Sequence, residues 1–393
     1  MNIVFFLPNI NSYLDRVKTL KRLSDKGHSM TLILGSYDSW DKSLDSENFN
    51  AINAGFISGQ RPLNLIRAYK ALRRVNSEKS IDIIHDTFGN FLLYFLFNFM
   101  KKNRPVFITS FYALDKWRIK NVWNPIGQNF FDLLKTSSDR RMLAGSFVQS
   151  FLTKICDHVI LQSSGLRERF EKYYLNKTSK IRIIPNSVDI DFWTPKNKSE
   201  FLKDGKIKLL YVGRFDFTSA FENILVAVKD LSDKVSIELT LVPKAGSLDE
   251  YKVMEMARHY NILNNVIFNK SPLSRKEMRD IYRGQDILIY QTINDGSPRV
   301  VIEAIASGLP VIANCHPGIN ILDPSKEYIT FTEFGNSEQI SSKVMGFVDS
   351  KVPYQDIIVK GRTKIIEMFT INKIAEIYDE VYKYAIAESA RLQ

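Results

Sequence analysis

Short apolar runs alternate with segments of helical period along the whole chain. In the first half, apolar runs at residues 3–7 and 30–34 flank residues 13–23, where apolar positions recur with the spacing of a helix face. Runs of the same kind recur at residues 81–85, 106–110, 158–162, 208–212, 236–242, 266–268, 287–290 and 310–313. Because strands that alternate with helices form parallel sheets covered on both faces, we predict an α/β protein with one doubly wound domain in each half.

A polar stretch separates the two halves. Residues 194–206 contain few side chains suited to a core and are the best candidate for a linker. We therefore expect a first domain at residues 1–195 and a second at residues 196–370. The segment that remains, residues 371–393, begins with an amphipathic helical pattern that can pack on either domain.

The balance of charge differs between the halves. Of the 393 residues, 45% are hydrophobic and 25% charged, an ordinary globular composition that excludes disorder as the main state. The net charge is +11, and residues 1–195 hold 28 Lys and Arg against 17 Asp and Glu, so the excess lies in the first half. This half is a candidate for contact with an anionic surface or substrate, and solubilising lysines are the alternative. The chain has no motif of a nucleic-acid-binding module, so we expect no nucleic acid as a partner.

The cysteine content and the hydropathy favour a cytoplasmic protein. Cys156 and Cys315 are too few for a disulfide framework, which is typical of a reducing compartment. The sequence has no apolar run of about 18 residues, the length that a membrane-spanning helix needs. Its first residues also lack the basic segment that opens a signal peptide, so we expect a cytoplasmic location.

The richest motif, YQTINDGSPRVVIEAIASGLPVIAN, occupies residues 290–314. It predicts a strand, a loop with Asp295 and Gly296, and a helix from about Pro298 that carries Glu303. In a parallel sheet, ligands bind beyond the carboxyl ends of the strands, where this loop lies. Its backbone N–H groups and the helix dipole favour a phosphate, and both carboxylates can accept hydrogen bonds from sugar hydroxyls. For either carboxylate alone, the alternative is a helix cap or a surface side chain.

Two shorter motifs point to the same interpretation. LLYVGR at residues 209–214 predicts a strand that ends at a glycine, after which Arg214 faces the same crevice and can bind two phosphate oxygens. IIPNSVDIDFWTP at residues 183–195 predicts a strand that leads through a turn to the linker. Asp189 and Asp191 have the Asp-x-Asp form of metal-dependent transferases, but their position before the linker argues against a metal site.

In this order, the motifs IPNSVD, VGR and DGSPRVVIEAIASGLPV resemble those of the retaining glycosyltransferases of family four. The resemblance covers nearly the whole chain, in sequence for the second half and in topology for the first. It implies the GT-B fold, in which two Rossmann-like domains face each other across a cleft and a final helix crosses back to the first domain. It also implies that a nucleotide sugar, a UDP- or GDP-sugar, binds the second domain, and that transfer needs no metal and no cofactor.

The resemblance implies roles for the residues at motif positions. Arg214 is expected to bind the diphosphate, Asp295 the donor sugar and Glu303 the ribose hydroxyls. Because the departing diphosphate is thought to help deprotonate the acceptor, the expected catalytic residues are Asp295, Arg214 and Lys244. Further residues expected to contact the nucleotide or its diphosphate are Gly213, Lys270, Gly296, Ser297, Pro298, Arg299 and Val300.

The chain departs from the family pattern where a Lys-Gly pair normally follows the motif arginine. Ser219 and Ala220 occupy these positions, so the second charge near the leaving group is missing, and Asp295 is one methylene shorter than the usual Glu. We expect Lys244 or Arg299 to supply that charge. Without it, the alternative is a non-catalytic GT-B homologue that acts as an interaction partner of an active glycosyltransferase. A sugar phosphorylase on the same fold is a third interpretation.

The first domain is expected to bind the acceptor, a glycan or a lipid-linked molecule. His85 and Asp86 end a predicted strand whose carboxyl end would face the cleft, and a satisfied buried histidine is the alternative for His85. Asn9 and Tyr112 follow two further strands and complete the candidate acceptor residues.

Three segments of the first half suggest contact with a membrane surface. Residues 62–75 have the pattern of a basic amphipathic helix, residues 91–100 are nearly all apolar, and residues 117–151 mix aromatic with basic side chains. Apolar bodies with basic flanks suit anionic lipid, so we expect peripheral association with the inner face of the membrane. Ordinary core packing is the alternative, above all for residues 91–100.

Overall fold

A computed structural model divides the chain into two compact units, Met1–Ser187 with Ile371–Gln393, and Val188–Thr370. The structure describes residues 1–7, 14–35, 40–56, 60–87, 89–98, 103–112, 137–174, 180–195, 205–244, 250–269, 273–293 and 295–392. No helix in these ranges is both long and apolar enough to span a membrane.

The first unit is built on a parallel sheet. Its strands are β1 (Asn2–Leu7), β2 (Ser29–Leu34), β3 (Phe49–Asn53), β4 (Ile83–Thr87), β5 (Val106–Phe111), β6 (His158–Leu161) and β7 (Ile181–Ile183). They lie in the order β3–β2–β1–β4–β5–β6–β7. The helices are α1 (Leu14–Asp25), α2 (Arg61–Glu78), α3 (Leu92–Asn98), α4 (Ser137–Ile155), α5 (Ser164–Tyr173) and the final helix of the chain (Ile371–Leu392).

Both faces of the first sheet are buried, which explains its continuous apolar strands. Phe5 packs in a layer with α1 and the final helix, whereas the next residue, Phe6, packs in the opposite layer with α2 and α3. Successive side chains of a strand point to opposite faces, so a strand that is covered on both sides has mostly apolar positions. The final helix contributes Tyr378 and Tyr382 to the first of these layers.

The second unit repeats this architecture. Its strands are β8 (Ile207–Gly213), β9 (Ile237–Pro243), β10 (Val266–Phe268), β11 (Ile287–Tyr290), β12 (Val311–Asn314) and β13 (Ile329–Thr332). They lie in the order β10–β9–β8–β11–β12–β13. The helices are α6 (Phe221–Ser232), α7 (Glu250–His259), α8 (Arg275–Gly284), α9 (Arg299–Ala306), α10 (Pro317–Asn320), α11 (Ser337–Val348) and α12 (Tyr354–Met368).

The boundary between the units lies earlier than expected. Residues 188–195, which we assigned to the first domain, pack within the second unit instead. Val188 N–H donates to the Phe369 carbonyl at 2.9 Å, and Trp193 is 2% exposed and stacks edge-on against Tyr282. The indole and its neighbours complete the core of the second unit, so the polar stretch after them begins too late to mark the division.

The prediction of two doubly wound α/β units is confirmed, and the strands that it missed lie at sheet edges. The periodicity of the sequence predicted neither β3 nor β13. Each lies at the edge of its sheet, where a strand is less fully covered by neighbouring elements and keeps polar or exposed side chains. Asn50 and Asn53 are also poor strand formers, which hides β3 further.

Candidate functional site

Two cationic residues follow the carboxyl ends of neighbouring strands in the second sheet. Gly213 and Pro243 are register partners at the carboxyl ends of β8 and β9. The residues that follow them, Arg214 and Lys244, are both exposed, and Lys244 N–H donates to the Gly213 carbonyl at 2.8 Å. The structure therefore brings the substitute cation of the sequence analysis next to the motif arginine.

Arg214 is oriented by hydrogen bonds on both its side chain and its backbone. Its Nε donates to Asp216 Oδ2 at 2.7 Å, and its guanidinium side chain remains 45% exposed. The buried Tyr211 hydroxyl donates to the Arg214 carbonyl, and Asp216 Oδ1 accepts from Thr218 N–H at 3.0 Å. A phosphate at Arg214 would therefore share the guanidinium with a fixed carboxylate.

Ser219 and Ala220 form the turn into α6 where the family has its Lys-Gly pair. Ser219 is buried, and its hydroxyl acts on the nearby phenol of Tyr211, whose pKa burial raises. Ala220 has φ 47° and ψ 39°, the left-handed conformation that glycine adopts most easily. The glycine-like backbone is therefore kept, whereas the position of the lysine holds a buried hydroxyl.

Asp295 lies between β11 and α9, and both of its carboxylate oxygens accept hydrogen bonds. The Tyr290 hydroxyl donates to Oδ2 at 2.8 Å, and Ser297 N–H donates to Oδ1 at 3.3 Å. Burial and the nearby Asp295 raise the pKa of Tyr290 well above its ordinary value. The phenol therefore stays protonated and remains a donor at neutral pH.

The start of α9 corrects the expected set of backbone donors. The helix begins at Arg299 with Pro298 as its cap residue. Ser297 N–H donates to Asp295, and proline has no N–H, so these two residues are poor candidates for binding a diphosphate through the backbone. Arg299 and Val300 lie in the first turn of the helix, and their contact with a diphosphate stays a prediction.

Glu303, in the second turn of α9, also accepts a hydrogen bond from a tyrosine. The hydroxyl of the buried Tyr282, on α8, lies 3.2 Å from Glu303 Oε2. Burial and the Glu303 charge raise the pKa of Tyr282 well above its ordinary value, and Arg299 acts in the opposite direction. The positive charge of Arg299 therefore acts on the same hydroxyl and carboxylate.

Two residues that were not predicted from the sequence, Asn314 and His316, hydrogen-bond to the backbone of the Asp295 loop. Asn314 bonds to both backbone groups of Thr292, accepting from its N–H at 2.8 Å and donating to its carbonyl at 3.0 Å. His316 Nδ1 accepts from Gly318 N–H, which leaves Nε2 to donate to the Ile293 carbonyl at 3.1 Å. The sequence does contain a signal for Asn314, because this polar residue directly follows the apolar run at residues 310–313.

Gly318 allows α10 to approach the same loop. A Cβ atom at this position would overlap the backbone carbonyl of Asp295. Only glycine permits such an approach, so Gly318 sets the distance between α10 and the loop. Together with Asn314 and His316, it fixes the backbone on which Asp295 is placed.

In the first unit, His85 and Asp86 are not accessible to an acceptor. His85 is fully buried, and its ring nitrogens lie 2.7 Å from the Tyr382 hydroxyl and 2.7 Å from the Ser110 hydroxyl. Burial lowers the pKa of His85 well below its ordinary value. Asp86 is also fully buried, and its Oδ1 accepts from Asn90 N–H at 3.0 Å. The structure therefore shows the alternative for His85, a satisfied buried histidine.

Tyr112 is partly exposed and belongs to a polar cluster near the end of β5. The guanidinium of Arg16, which is 9% exposed, donates to the Tyr112 hydroxyl and to Asn186 Oδ1, the latter at 2.7 Å. Asn186 belongs to the IPNSVD motif, so the first unit uses this motif to hold a buried arginine. Asn9 and Lys270 lie outside the described residues.

Asp189, the first residue of the Asp-x-Asp pair, has a structural role. Asp189 Oδ1 accepts from Phe192 N–H at 3.3 Å and so closes a turn. Among the described residues, no group of three or more His, Cys, Asp and Glu side chains is arranged to hold a metal ion.

Two family descriptions match consecutive parts of the chain. The one described as Glycosyltransferase Family 4 matches residues 17–192, and the one described as Glycosyl transferases group 1 matches residues 194–364. The chain belongs to the family-four, or group 1, glycosyltransferases and has their GT-B fold.

Relatives with names and structures are similar to most of the chain. The alpha-monoglucosyldiacylglycerol synthase of Streptococcus pneumoniae is 23% identical, over 82% of this chain and 72% of that protein. Sucrose-phosphate synthase of Thermosynechococcus elongatus superposes with a TM-score of 0.79 and 14% identity, over 99% of this chain and 100% of that one. Anabaena HepE, crystallised with UDP and glucose, superposes with a TM-score of 0.72 and 13% identity, over 98% and 99%.

The matched stretches differ in length among the curated relatives. Across eight of them, the stretch that this chain matches spans 27% to 72% of the relative's own length. Substrates and partners of whole relatives are therefore not transferred to this chain by similarity alone.

Proposed function

We propose that the protein is a retaining glycosyltransferase that moves a hexose, without a metal, from a UDP- or GDP-sugar to a glycan or lipid-linked acceptor. The observation that carries this proposal is the set of charged residues at the carboxyl ends of three neighbouring strands in the second sheet. Arg214 and Lys244 follow register-paired strands, while Asp295 and Glu303 follow the next strand, β11, across the central β8. Cations for a diphosphate and carboxylates for sugar hydroxyls therefore occur together at the switch point of a doubly wound sheet.

This arrangement fits the demands of the reaction. Negative charge develops on the diphosphate as the glycosidic bond to the donor sugar breaks, and cations that are already in place stabilise it. Arg214 is oriented before a ligand arrives, because Asp216 holds its Nε and Tyr211 holds its backbone. Lys244 takes the place of the family lysine that Ser219 replaces. The UDP and glucose bound to the Anabaena protein support a nucleotide-sugar donor for this chain.

A donor screen followed by a turnover assay tests the proposal. Thermal shifts with UDP-, GDP-, ADP- and TDP-sugars identify the donor, and release of nucleoside diphosphate measures turnover. Glu303→Ala removes the carboxylate that is proposed to bind the ribose hydroxyls, and it should lower turnover by about 100-fold. Glu255→Ala is the matched control, because Glu255 is exposed on α7 and pairs with Arg258.

The outcomes separate the enzyme from its non-catalytic alternative. Nucleotide binding without any turnover, across the whole panel, would favour a GT-B homologue that acts as a partner. Turnover that survives in Glu303→Ala would remove the assigned role of this carboxylate. Phosphate-dependent turnover in the absence of nucleotide would instead indicate a phosphorylase.

We further propose that the enzyme works at the inner face of the membrane, on a lipid-linked acceptor. One face of α2 exposes Leu63 and Ile66 beside three exposed cations, Lys70, Arg73 and Arg74. The face continues onto α3, where Leu96 is 39% and Phe97 is 66% exposed. The diacylglycerol in the name of the Streptococcus relative is consistent with such an acceptor.

The exposed side chains of α2 and α3 form one surface, which we call the basic apolar patch. The ring of Tyr69 lies 5.7 Å from that of Phe97, and the guanidinium of Arg73 lies 6.0 Å from the centre of the Tyr69 ring. The other side of α2, with Ala68, Leu72 and Val75, is core, as the alternative for this segment foresaw. Apolar side chains flanked by cations suit an anionic bilayer, at about 1 kcal/mol for each basic residue.

Vesicle sedimentation tests the membrane proposal. At low salt, the protein should bind phosphatidylglycerol vesicles and not phosphatidylcholine vesicles. Each basic residue gains about 1 kcal/mol of binding free energy only at an anionic surface. Phe97→Ser should weaken binding, whereas Tyr251→Ser, an equally exposed aromatic of the second unit, should leave it unchanged. Wild-type protein that stays in the supernatant with both lipids would contradict the proposal.

A further inference from the structure

Both acidic residues of the candidate donor site accept a hydrogen bond from a buried tyrosine. Tyr290 Oη lies 2.8 Å from Asp295 Oδ2, and Tyr282 Oη lies 3.2 Å from Glu303 Oε2. The two tyrosines are 8% and 1% exposed and belong to the same core. Each carboxylate is itself only partly buried. A fixed donor beneath a partly exposed acid is thus repeated at two independent positions.

The core fixes the tyrosine rings, and the rings restrict the carboxylates. A partly exposed acidic side chain samples several rotamers and must be ordered when it binds a ligand. A hydrogen bond to an ionised acceptor is about twice as strong as one between neutral groups. Because both phenols have pKa values raised well above the ordinary value, both remain donors at neutral pH. One oxygen of each acid is therefore held in place, so that less ordering is needed when a sugar binds.

We propose that Tyr282 and Tyr290 are positioning residues of the donor site, Tyr282 presenting Glu303 to the ribose and Tyr290 presenting Asp295 to the donor sugar. The inference rests on the proposed function, which assigns a ligand to each carboxylate. Asp295 is a methylene shorter than the Glu of the family pattern, so the tyrosine that holds it sets how far it reaches. Neither tyrosine touches the ligand itself in this arrangement.

Because the two acids contact different parts of the donor, the two tyrosines should have different kinetic signatures. Tyr282→Phe removes the hydrogen bond to Glu303 Oε2 and should weaken binding of the nucleotide by about 10-fold, which raises KM. Tyr290→Phe removes the hydrogen bond to Asp295 Oδ2 and leaves the longer one from Ser297 N–H to Oδ1. Because Asp295 is proposed to contact only the sugar, this variant should lower kcat by about 10-fold while the affinity for free nucleotide is unchanged. A merely structural role would affect both quantities in the same way for both variants.

The probes are UDP-glucose and GDP-mannose for turnover, and UDP and GDP for calorimetric binding. Tyr328→Phe is the matched control, since Tyr328 is buried in the same core and its hydroxyl has no hydrogen-bond partner among the described residues. This variant should keep wild-type kcat and nucleotide affinity. Equal losses in Tyr282→Phe, Tyr290→Phe and Tyr328→Phe would overturn the proposal, as would wild-type kinetics in the first two.

A double-mutant cycle tests whether Tyr290 acts through Asp295. Asp295→Ala alone should lower kcat, and adding Tyr290→Phe should then have no further effect, because the group that the tyrosine positions is gone. A further loss in the double variant would show that Tyr290 acts by another route. If the wild type neither binds nor turns over any donor of the panel, the proposed function itself is wrong and the inference falls with it. Wild-type turnover with unchanged tyrosine variants contradicts the inference alone.

Discussion

The two sheets share the order of their central strands, but the polar residues of the compared strands are buried in the first sheet and reach a partly exposed loop in the second. In each unit the central strand, β1 or β8, lies between the second strand of the unit and the strand that follows the switch point, β4 or β11. In the first unit β4 carries His85, which is fully buried and bonded to Tyr382 of the final helix. In the second unit β11 ends at Tyr290, whose hydroxyl reaches outward to the partly exposed Asp295.

The difference shows that the strand order creates a possible site and that the covering elements decide its use. A helix from the end of the chain packs on the first sheet and supplies the partner of His85, the hydroxyl of Tyr382. In the second unit, the hydroxyl of Tyr290 donates to Asp295 in a loop, and the hydroxyl of Tyr211 donates to the backbone of the exposed Arg214. A buried polar group needs a partner in either case. The partner is structural in the first unit and belongs to the proposed donor site in the second.

The largest expected effect concerns the exposed cation at the end of β8. Arg214→Ala should reduce turnover by about 100-fold or more, because it removes a bidentate contact to the charge that develops on the leaving diphosphate. Released nucleoside diphosphate is the measurement. Arg258→Ala, which removes an equally exposed arginine of an ion pair on α7, should leave turnover unchanged. Similar losses in both variants would deny the end of β8 a special role.

The closed end of the first sheet should be sensitive to acid. Burial holds the pKa of His85 well below 6.5, so below that pH the unfolded chain takes up a proton that the folded chain does not. The free energy of unfolding should therefore fall with pH, and this histidine alone should account for about 2 kcal/mol at pH 5. Urea unfolding at pH 7 and pH 5 measures the loss, which should be smaller in His85→Gln. An identical loss in both proteins would show that His85 is protonated in the fold.

The substitute cation should have a moderate effect. Lys244→Ala should lower turnover by about 10-fold at low salt, since a single exposed charge near a diphosphate contributes less than a bidentate arginine. Lys234→Ala, an exposed lysine of the same unit, serves as the control. Turnover of Lys244→Ala equal to that of the control would show that another group, such as Arg299, replaces the missing family lysine.

The sequence predicted the second unit better than the first, for a physical reason. Asp295 and Glu303 lie in one motif whose spacing follows from one strand, one loop and one helix, so local pattern was enough to place both after β11. Arg214 lies in a separate motif, after the neighbouring strand β8. His85 required knowledge of its long-range partner: the residue that satisfies it, Tyr382, is 297 positions away on the final helix. The strand predicted from the sequence ended at His85, whereas β4 continues to Thr87, and a histidine on a strand looks the same in sequence whether a helix covers it or not.

The same limit explains the missed supports of the Asp295 loop. Tyr290 read as the last residue of an apolar strand, and the direction of its hydroxyl depends on packing that periodicity does not record. Asn314 ends β12 and His316 follows it, and only the parallel pairing of β11 with β12 places them beside the loop. Register between strands, more than the identity of the strands, was the missing information.

The smallest expected effect sharpens the role of the charge beside Arg214. Asp216 Oδ2 lies 2.7 Å from Arg214 Nε and competes with a phosphate for the guanidinium, while it also orients it. Asp216→Asn keeps an oxygen acceptor and the size of the side chain but removes the negative charge, so the affinity for nucleoside diphosphate should rise by about 3-fold, within the range of exposed ion pairs. Calorimetric titration with UDP and GDP measures the change, with Asp233→Asn, in the exposed pair with Lys229, as the control. Weaker binding in Asp216→Asn would mean that orientation of the arginine outweighs competition, and that the fixed carboxylate belongs to the site as much as the cation does.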